Sequence, residues 1–466
     1  MPAGRLRRRY GHGMRRATPA TVALTVLLAT AATAPAAGIP LGSVARPTAT
    51  VAAETTGTPT AVSTVASNAR VTQVLRSRTK SRVLGSRFTM TVWDTATSSY
   101  IYKRRSTSSL RGASTTKILT AVGVLNTLGP EHRFPTVVRA GAGPDEVVLV
   151  GGGDPLLASA DLRGLAASTA AALGIAPIPA PDPSATPDPA TPAPVPARTI
   201  VVRADDSLFG GKVRPSGWRS SYLPREVRPV GAFARDDNKV WDSTRDAGTY
   251  FAAALAKLGV QATYAGEATA APDAPVLATF DGHSVAESVA RMLLISDNDT
   301  AEMLFRQVAV GRGLPATWKG ARKALKAVLR ELRIPLTRVR IIDGSGLSLT
   351  GRLTAGALTS ALNRALSPDH PELSGLRGWL PVAGRTGTLQ AAYKRFTSSP
   401  SRCAAGLVQA KTGTLADAIS LAGYAQGADG QTKIFVAIVN RRPTRYSRLT
   451  TRVYVDRAVS SVTGCW

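Results

Sequence analysis

The sequence predicts an α/β protein: an antiparallel sheet flanked by helices, interrupted by a β-rich inserted domain. Three observations predict it. The chain has 466 residues, too many for one ordinary domain. Strand runs and helical periodicity occur together near both ends. Between them the texture changes to short β-like runs separated by glycine and proline turns.

The chain opens with a basic start, "RLRRRYGHGMRR", and the small-residue apolar stretch "ATVALTVLLATAATAPAAG". That is the pattern of an export signal over residues 1–36. An uncleaved anchor is the alternative, although an Ala- and Thr-rich stretch is weak for a permanent span of ~20 residues. Residues 37–68 are rich in Thr, Ala, Ser, Val and Pro without a regular period and read as a flexible linker. The expected location is the cell envelope or the exterior, with tethering by a retained signal left open.

Residues 69–140 and 284–466 are expected to form the sheet-and-helix domain. "FTMTVWDTATSSYIYKR" alternates like two strands around a Thr-Ser-Ser turn. "STTKILTAVGVLNTLGP" is helical from Ser114 and is stopped by Gly129 and Pro130. Residues 141–283 form the insertion, which holds a proline-rich extended loop at 175–198. Helical spacing returns over 284–311, where Val285, Val289, Met292 and Leu293 recur, and again in "GARKALKAVLRELRI". "AGLVQAKTGTL", "SLAGYAQG" and "KIFVAIVN" read as three strands, with a short C-terminal helix after them.

The formal net charge is +28; six arginines and no acid precede residue 37, so +22 remains without the signal. Such a chain is drawn to polyanions, and for an exported protein these are anionic cell-wall polymers or a lipid surface. Nucleic acid is not expected. Aromatics make up only 5%, and no zinc-finger spacing, RNP-like motif or clustered basic helix is read. Cys403 and Cys465 either form one disulfide or stay as two free thiols. The four histidines lack metal-ligand spacing and the CxxC and HExxH patterns are absent, so no metal and no other cofactor is expected.

Three short motifs carry the chemistry. Ser114 and Lys117 are three apart on a helix and therefore share a face, where the amine reaches the hydroxyl. The helix start offers N–H groups and positive potential for an oxyanion. A second Ser-x-x-Lys, Ser77 to Lys80, lies in a polar stretch and shows how readily the pattern arises. As a base Lys117 must be neutral, which calls for burial or a neighbouring cation. Lys411-Thr412-Gly413-Thr414 on a strand supplies that cation, and its glycine lets a substrate backbone approach. Ser296-Asp297-Asn298 adds a hydroxyl and an amide.

The set S-x-x-K, S-D-N and K-T-G resembles the signature of penicillin-binding proteins and class A β-lactamases. "GASTTKILTAVGVLNTLGPEHRFPT", "LVGGGDPLL", "DDSLFGG", "SDNDTAEMLFR", "IIDGSGLS", "LPVAGRTGTL" and "AKTGTL…LAGY" are similar to the class C low-molecular-mass penicillin-binding proteins, the D-alanyl-D-alanine carboxypeptidase/endopeptidases. The 182 residues from Ser114 to Ser296 also match that branch, which places an extra domain there. The resemblance implies a penicillin-binding-protein/β-lactamase-like transpeptidase fold and a serine DD-peptidase acting on peptidoglycan stem peptides, with β-lactams as covalent inhibitors. It implies Ser114 as nucleophile, Lys117 as general base, Ser296 as proton relay and Asn298 as holder of the substrate amide. Lys411 supplies positive charge, Thr412, Gly413 and Thr414 line the carboxylate site, and the N–H groups of Ser114 and Thr414 form the oxyanion hole.

Two departures accompany it. "GRTGTL" at 384–389 nearly copies "AKTGTL" with Arg385 for lysine; Lys411 is preferred because strands flank it. Only "FARDDNKVWDSTRDAG" stands where the family often places a small third domain. "GGGDP" reads as a turn and "DGSGLS" as packing near the cleft. A catalytically silent wall-binding scaffold, and a β-lactamase or esterase of the same superfamily, are the competing readings. Carboxypeptidase and endopeptidase action are not distinguished.

Overall fold

The computed structural model describes residues 63–175, 198–211 and 214–466. The expected signal, nearly all of the linker and residues 176–197 of the proline-rich loop lie outside them. The linker's expected end at 68 overlaps the first helix, α1 (Thr64–Arg78), which buries Ser67, Val71 and Leu75.

The main sheet contains β1 (Arg87–Asp94), β2 (Ser99–Arg104), β8 (Val408–Thr414), β9 (Ala418–Gln426) and β10 (Thr432–Asn440). Its order is β2-β1-β10-β9-β8, antiparallel throughout. β9 and β10 are buried along almost their whole length because helices cover both faces, which explains why they read as apolar runs rather than clean alternation. α1 and α9 (Arg448–Ser460) pack on one face. On the other lie α2 (Thr116–Leu128), α5 (Val285–Leu294), α6 (Asn298–Gly311), α7 (Trp318–Glu331) and α8 (Ala355–Arg364). α5 starts with a capping box, Ser284 accepting from the Glu287 amide and Glu287 from that of Ser284.

The insertion has its own five-stranded sheet, order β6-β5-β4-β3-β7, built from β3 (Thr136–Ala140), β4 (Glu146–Val150), β5 (Thr199–Asp205), β6 (Gln261–Glu267) and β7 (Val276–Phe280). β4–β5 and β5–β6 run parallel, and parallel neighbours need crossovers. α3 (Ser159–Ala172) and α4 (Ser243–Ala256) are those crossovers, so the inserted sheet carries helices that the strand-like texture of the segment concealed. β3, placed by sequence in the outer domain, pairs with β4 and β7 inside the insertion.

Cys403 and Cys465 are disulfide-bonded, 62 residues apart, tying the turn before β8 to the end of the chain. Closing a loop of that length removes about 4 kcal/mol of unfolded-chain entropy in the loop-closure description. Replacing both cysteines by serine should lower the denaturant midpoint accordingly, with the m-value showing whether the unfolded state has expanded.

Candidate active site

The turn that carries Ser114 is held by contacts that do not involve its hydroxyl. Arg111 donates its N–H to Asn440 Oδ1 at 2.7 Å and accepts from Asn440 Nδ2 at 3.0 Å, so one amide on β10 clamps the approach to Ser114. Ser420 Oγ on β9 and Thr115 Oγ1 both donate to the Gly112 carbonyl, at 2.6 and 2.7 Å. Ser114 occupies a short 3₁₀ turn, Ala113–Thr115, directly before α2. The turn lies so close to β8 that a Cβ on Gly413 would stand 2.2 Å from Ser420 Oγ and 2.8 Å from the Gly112 carbonyl oxygen. Glycine at 413 is therefore a steric requirement of the approach.

Lys117, the second residue of α2, is fully buried. Its Nζ lies 3.1 Å from Ser114 Oγ, 2.7 Å from Asn298 Oδ1 and 3.2 Å from the Ser345 carbonyl oxygen. Asn298 in turn donates through Nδ2 to the Glu226 carbonyl at 2.8 Å. Ser296 sits between α5 and α6 at φ 65°, in the left-handed region, a conformation that costs a serine about 1–2 kcal/mol. Asp297 holds the bend: it caps α6 through the Thr300 amide at 3.2 Å and accepts from Arg291 Nε at 3.1 Å.

Asp237, Asp297 and Asp299 bring carboxylate oxygens within 4.8 Å of one another. Each is already bonded to a cation: Asp299 to Arg228 and Lys239, Asp237 to Lys239 and Arg291, and Asp297 to Arg291. The cluster is an ion-pair brace that anchors the Ser296 bend to the segment before α4.

β8 is an edge strand whose outer side is only partly covered. Ala383 donates to the Val408 carbonyl at 2.8 Å and Ala410 to the Pro381 carbonyl at 2.9 Å. A strand alternates with period two, so the main-chain groups of Thr412 and Thr414 point to the same outer edge, beyond the covering segment. Their side chains face α9, whereas Lys411 and Gly413 face α2. Thr412 Oγ1 donates to Thr388 Oγ1 at 2.8 Å, and Arg452 Nη2 on α9 donates to Thr414 Oγ1 at 3.3 Å.

A cleft of about 290 Å³ opens here, lined by Ser114, Ser296, Asn298, Thr412, Thr414 and by five residues that sequence reasoning missed besides Glu226: Leu347, Thr388, Tyr393, Arg395 and Arg452. Thr388 belongs to "GRTGTL", the near copy of the lysine motif, and Leu347 to "DGSGLS"; those strings were the available signals. Arg385, the rival to Lys411, is exposed, while Lys411 is fully buried. Arg395 is held by a buried two-point pair with Asp456, at 2.9 and 2.6 Å.

The electrostatics differ from the sequence-based expectation in one respect. Burial pushes the Lys117 amine down to about 8, against the pull of Glu302, Asp297, Asp343 and Asp299. Lys411 is not the leading cause. Instead Lys411 is itself driven well below the usual lysine range, by burial and then by the charges of Lys117 and Arg395. Lys117 has acids around it, whereas Lys411 has none among its leading influences. Glu302, fully buried and accepting from the Gly344 and Ser345 amides at 2.9 and 2.7 Å, is pushed up by burial and by Asp343. It fixes the loop whose Ser345 carbonyl faces Lys117.

The sequence profile of the D-Ala-D-Ala carboxypeptidase 3 (S13) family matches residues 71–184 and 222–452. Carboxypeptidase Rv3627c of Mycobacterium tuberculosis is 31% identical over 362 residues, 75% of either chain. The D-alanyl-D-alanine carboxypeptidase of Actinomadura sp. (strain R39) is 27% identical over 425 residues, 75% of this chain and 76% of that one. Among solved structures, penicillin binding protein 4 (dacB) of Haemophilus influenzae superposes with a TM-score of 0.67 at 20% identity, covering 80% of this chain and 95% of that chain.

Proposed function

The chain belongs to the D-Ala-D-Ala carboxypeptidase 3 (S13) family, and from that premise we propose how its cleft performs the chemistry. The protein is a serine DD-peptidase of the penicillin-binding class: it cleaves D-Ala bonds of peptidoglycan stem peptides through an acyl-enzyme, and β-lactams acylate it. A cell-wall peptidase works in the envelope or outside the cell, and among the described residues no helix is long and apolar enough to cross a membrane. The signal over residues 1–36 is our reading of how it gets there.

The observation that carries the site assignment is a buried amine of lowered pKa within 3.1 Å of a serine hydroxyl at the edge of an open strand. Ser114 Oγ attacks the carbonyl carbon of the penultimate D-alanine and passes its proton to Lys117. The oxygen of the tetrahedral intermediate sits between the N–H groups of Ser114 and Thr414, where each donor is worth about 2.7–4 kcal/mol in comparable sites. Ser296 relays the proton to the departing amine and the C–N bond breaks. Water then attacks the ester, Lys117 takes its proton, and Ser114 is regenerated.

Thr412 and Thr414 hold the substrate's terminal carboxylate, and Arg452 joins them. Its Nε is buried without an acceptor and its Nη2 already touches Thr414, so an anion in the cleft completes it. The same carboxylate stabilises positive charge on Lys411, and charge there lowers the proton affinity of Lys117. Substrate arrival thereby prepares the base.

Release of D-alanine from a soluble D-Ala-D-Ala peptide, with the cleaved bond identified by mass spectrometry, tests the reading; an intact peptide after prolonged incubation contradicts it. Two further outcomes follow. Lys117 acts neutral, and its folded-state pKa is lowered to about 8. β-Lactam acylation should therefore rise with pH from 6, reach half its plateau near 8 and level off above. A rate that falls across that range would contradict the assignment. Arg452→Gln should cost about 10–100-fold in kcat/KM, mostly in KM, on a carboxylate-terminated peptide, the scale of a lost charge-assisted hydrogen bond. A C-terminal amide analogue should show little change.

A further inference from the structure

α7 carries its cations on one side. Lys319, Lys323 and Arg330 are exposed and Arg322 and Lys326 partly so, while Trp318, Ala321, Ala324, Leu325, Val328 and Leu329 are buried against the helical core. Sequence reading found no clustered basic helix; the structure shows that this one is. The only acid of α7, Glu331, is taken by Arg312 at 3.1 and 2.6 Å. None of the five cations has an ion-pair partner among the described residues. Lys319–Lys323, Arg322–Lys326 and Lys326–Arg330 are like charges four apart, each destabilising the isolated helix by roughly 0.2–0.5 kcal/mol. Five positive charges over roughly 17 Å of helix concentrate a local positive field on this face.

We propose that the solvent face of α7 is a docking surface for a linear phosphodiester polyanion of the cell wall, which holds the enzyme on its substrate. The inference rests on the peptidoglycan reading only for why such a polymer would be at hand. Charge complementarity selects an anion. The burial of the whole apolar side selects a polymer over a bilayer, because α7 has no large exposed hydrophobic residue to enter a lipid interface. None of the five residues lines the active cleft, so anchoring and cleavage are separable.

The test uses the intact chain and long-chain inorganic polyphosphate as the probe. Wild-type binding should weaken with salt at a slope near −3.5, from five contacts at the coefficient of about 0.7 per contact for flexible polyanions. K323Q/K326Q/R330Q should bind at least tenfold more weakly at low salt, with the slope falling by about 2. Its melting temperature should hold or rise, since repulsion is removed, and D-Ala-D-Ala hydrolysis should be unchanged. R76Q/R82Q/R87Q removes the same charge from α1, the turn after it and β1, and should bind nearly as wild type. Equal losses in both triple variants would mean that binding follows net charge alone and would overturn the assignment. Tighter binding to phosphatidylglycerol vesicles than to polyphosphate, lost in the α7 variant, would make the partner a membrane and overturn it too. Failure of hydrolysis in every variant and in wild type would instead count against the peptidase reading and leave the binding result standing.

Discussion

Ser114→Ala should abolish both covalent labelling by a fluorescent penicillin and release of D-alanine, with kcat down on the order of 10⁶-fold, as when a serine protease loses its nucleophile. Folding should be untouched. Ser114 is only half-buried, and its side chain accepts a hydrogen bond from Lys117. The turn around it is held by Asn440, Ser420 and Thr115 rather than by the serine. Residual labelling would move the nucleophile elsewhere. Retained labelling with lost peptide hydrolysis would be the more informative failure, since it would separate β-lactam chemistry from the peptidase.

Lys117→Met is the second large effect. Loss of a positioned general base costs roughly 10²–10⁴-fold. The top of that range is expected here, because in the proposed mechanism the same amine also serves deacylation, and it lies 2.7 Å from Asn298 Oδ1. Lys117→Arg separates the roles. Arginine keeps a cation beside Asn298 and Ser345 but stays protonated at every accessible pH. If Lys117 is the base, Arg is as inactive as Met. If it only supplies charge, Arg recovers activity and the rise with pH disappears. The melting temperature should drop in Met, which leaves the Ser345 carbonyl and Asn298 Oδ1 without their donor.

Much of this site was legible because its residues sit in short motifs that do not depend on distant context. Ser114 with Lys117, Ser296 with Asn298, and Lys411 through Thr414 are each local strings; the fold brings Ser114, Ser296, Asn298, Thr412 and Thr414 to one cleft and buries Lys117 and Lys411. Thr388, Arg395 and Arg452 are contributed by segments chosen for tertiary reasons. Arg452 meets Thr414 only because β8 turns its even-numbered side chains toward α9, a fact no window of sequence contains. The lysine electrostatics were half legible. Sequence supplies two amines; which one yields its proton depends on the buried acids Glu302 and Asp343, brought in from α6 and a loop.

Among the elements, β9 and β10 announced themselves by apolar runs, and α5 by its spaced Val285, Val289, Met292 and Leu293. α3 did not. "SADLRGLAASTAAA" is small and nearly uniform in polarity, so its buried Leu162, Leu165 and Ala166 leave little periodic signal. α1 buries a narrow stripe of Ser67, Val71 and Leu75 and was read partly as linker. The basic side of α7 was missed for a related reason: its lysines and arginines are dispersed in sequence and gather only when wound at 3.6 residues per turn.

The account stands most directly on which atom is acylated. Digestion of the penicillin-treated protein with trypsin cuts after Arg111 and Lys117, releasing Gly112–Lys117 as a six-residue peptide. The penicilloyl mass should appear on that peptide alone, at Ser114, and faster at pH 8.5 than at pH 6.5. An adduct on the peptide ending at Arg78, which holds the decoy Ser77, or on Ser345, would contradict it, and so would a saturated protein bearing no adduct.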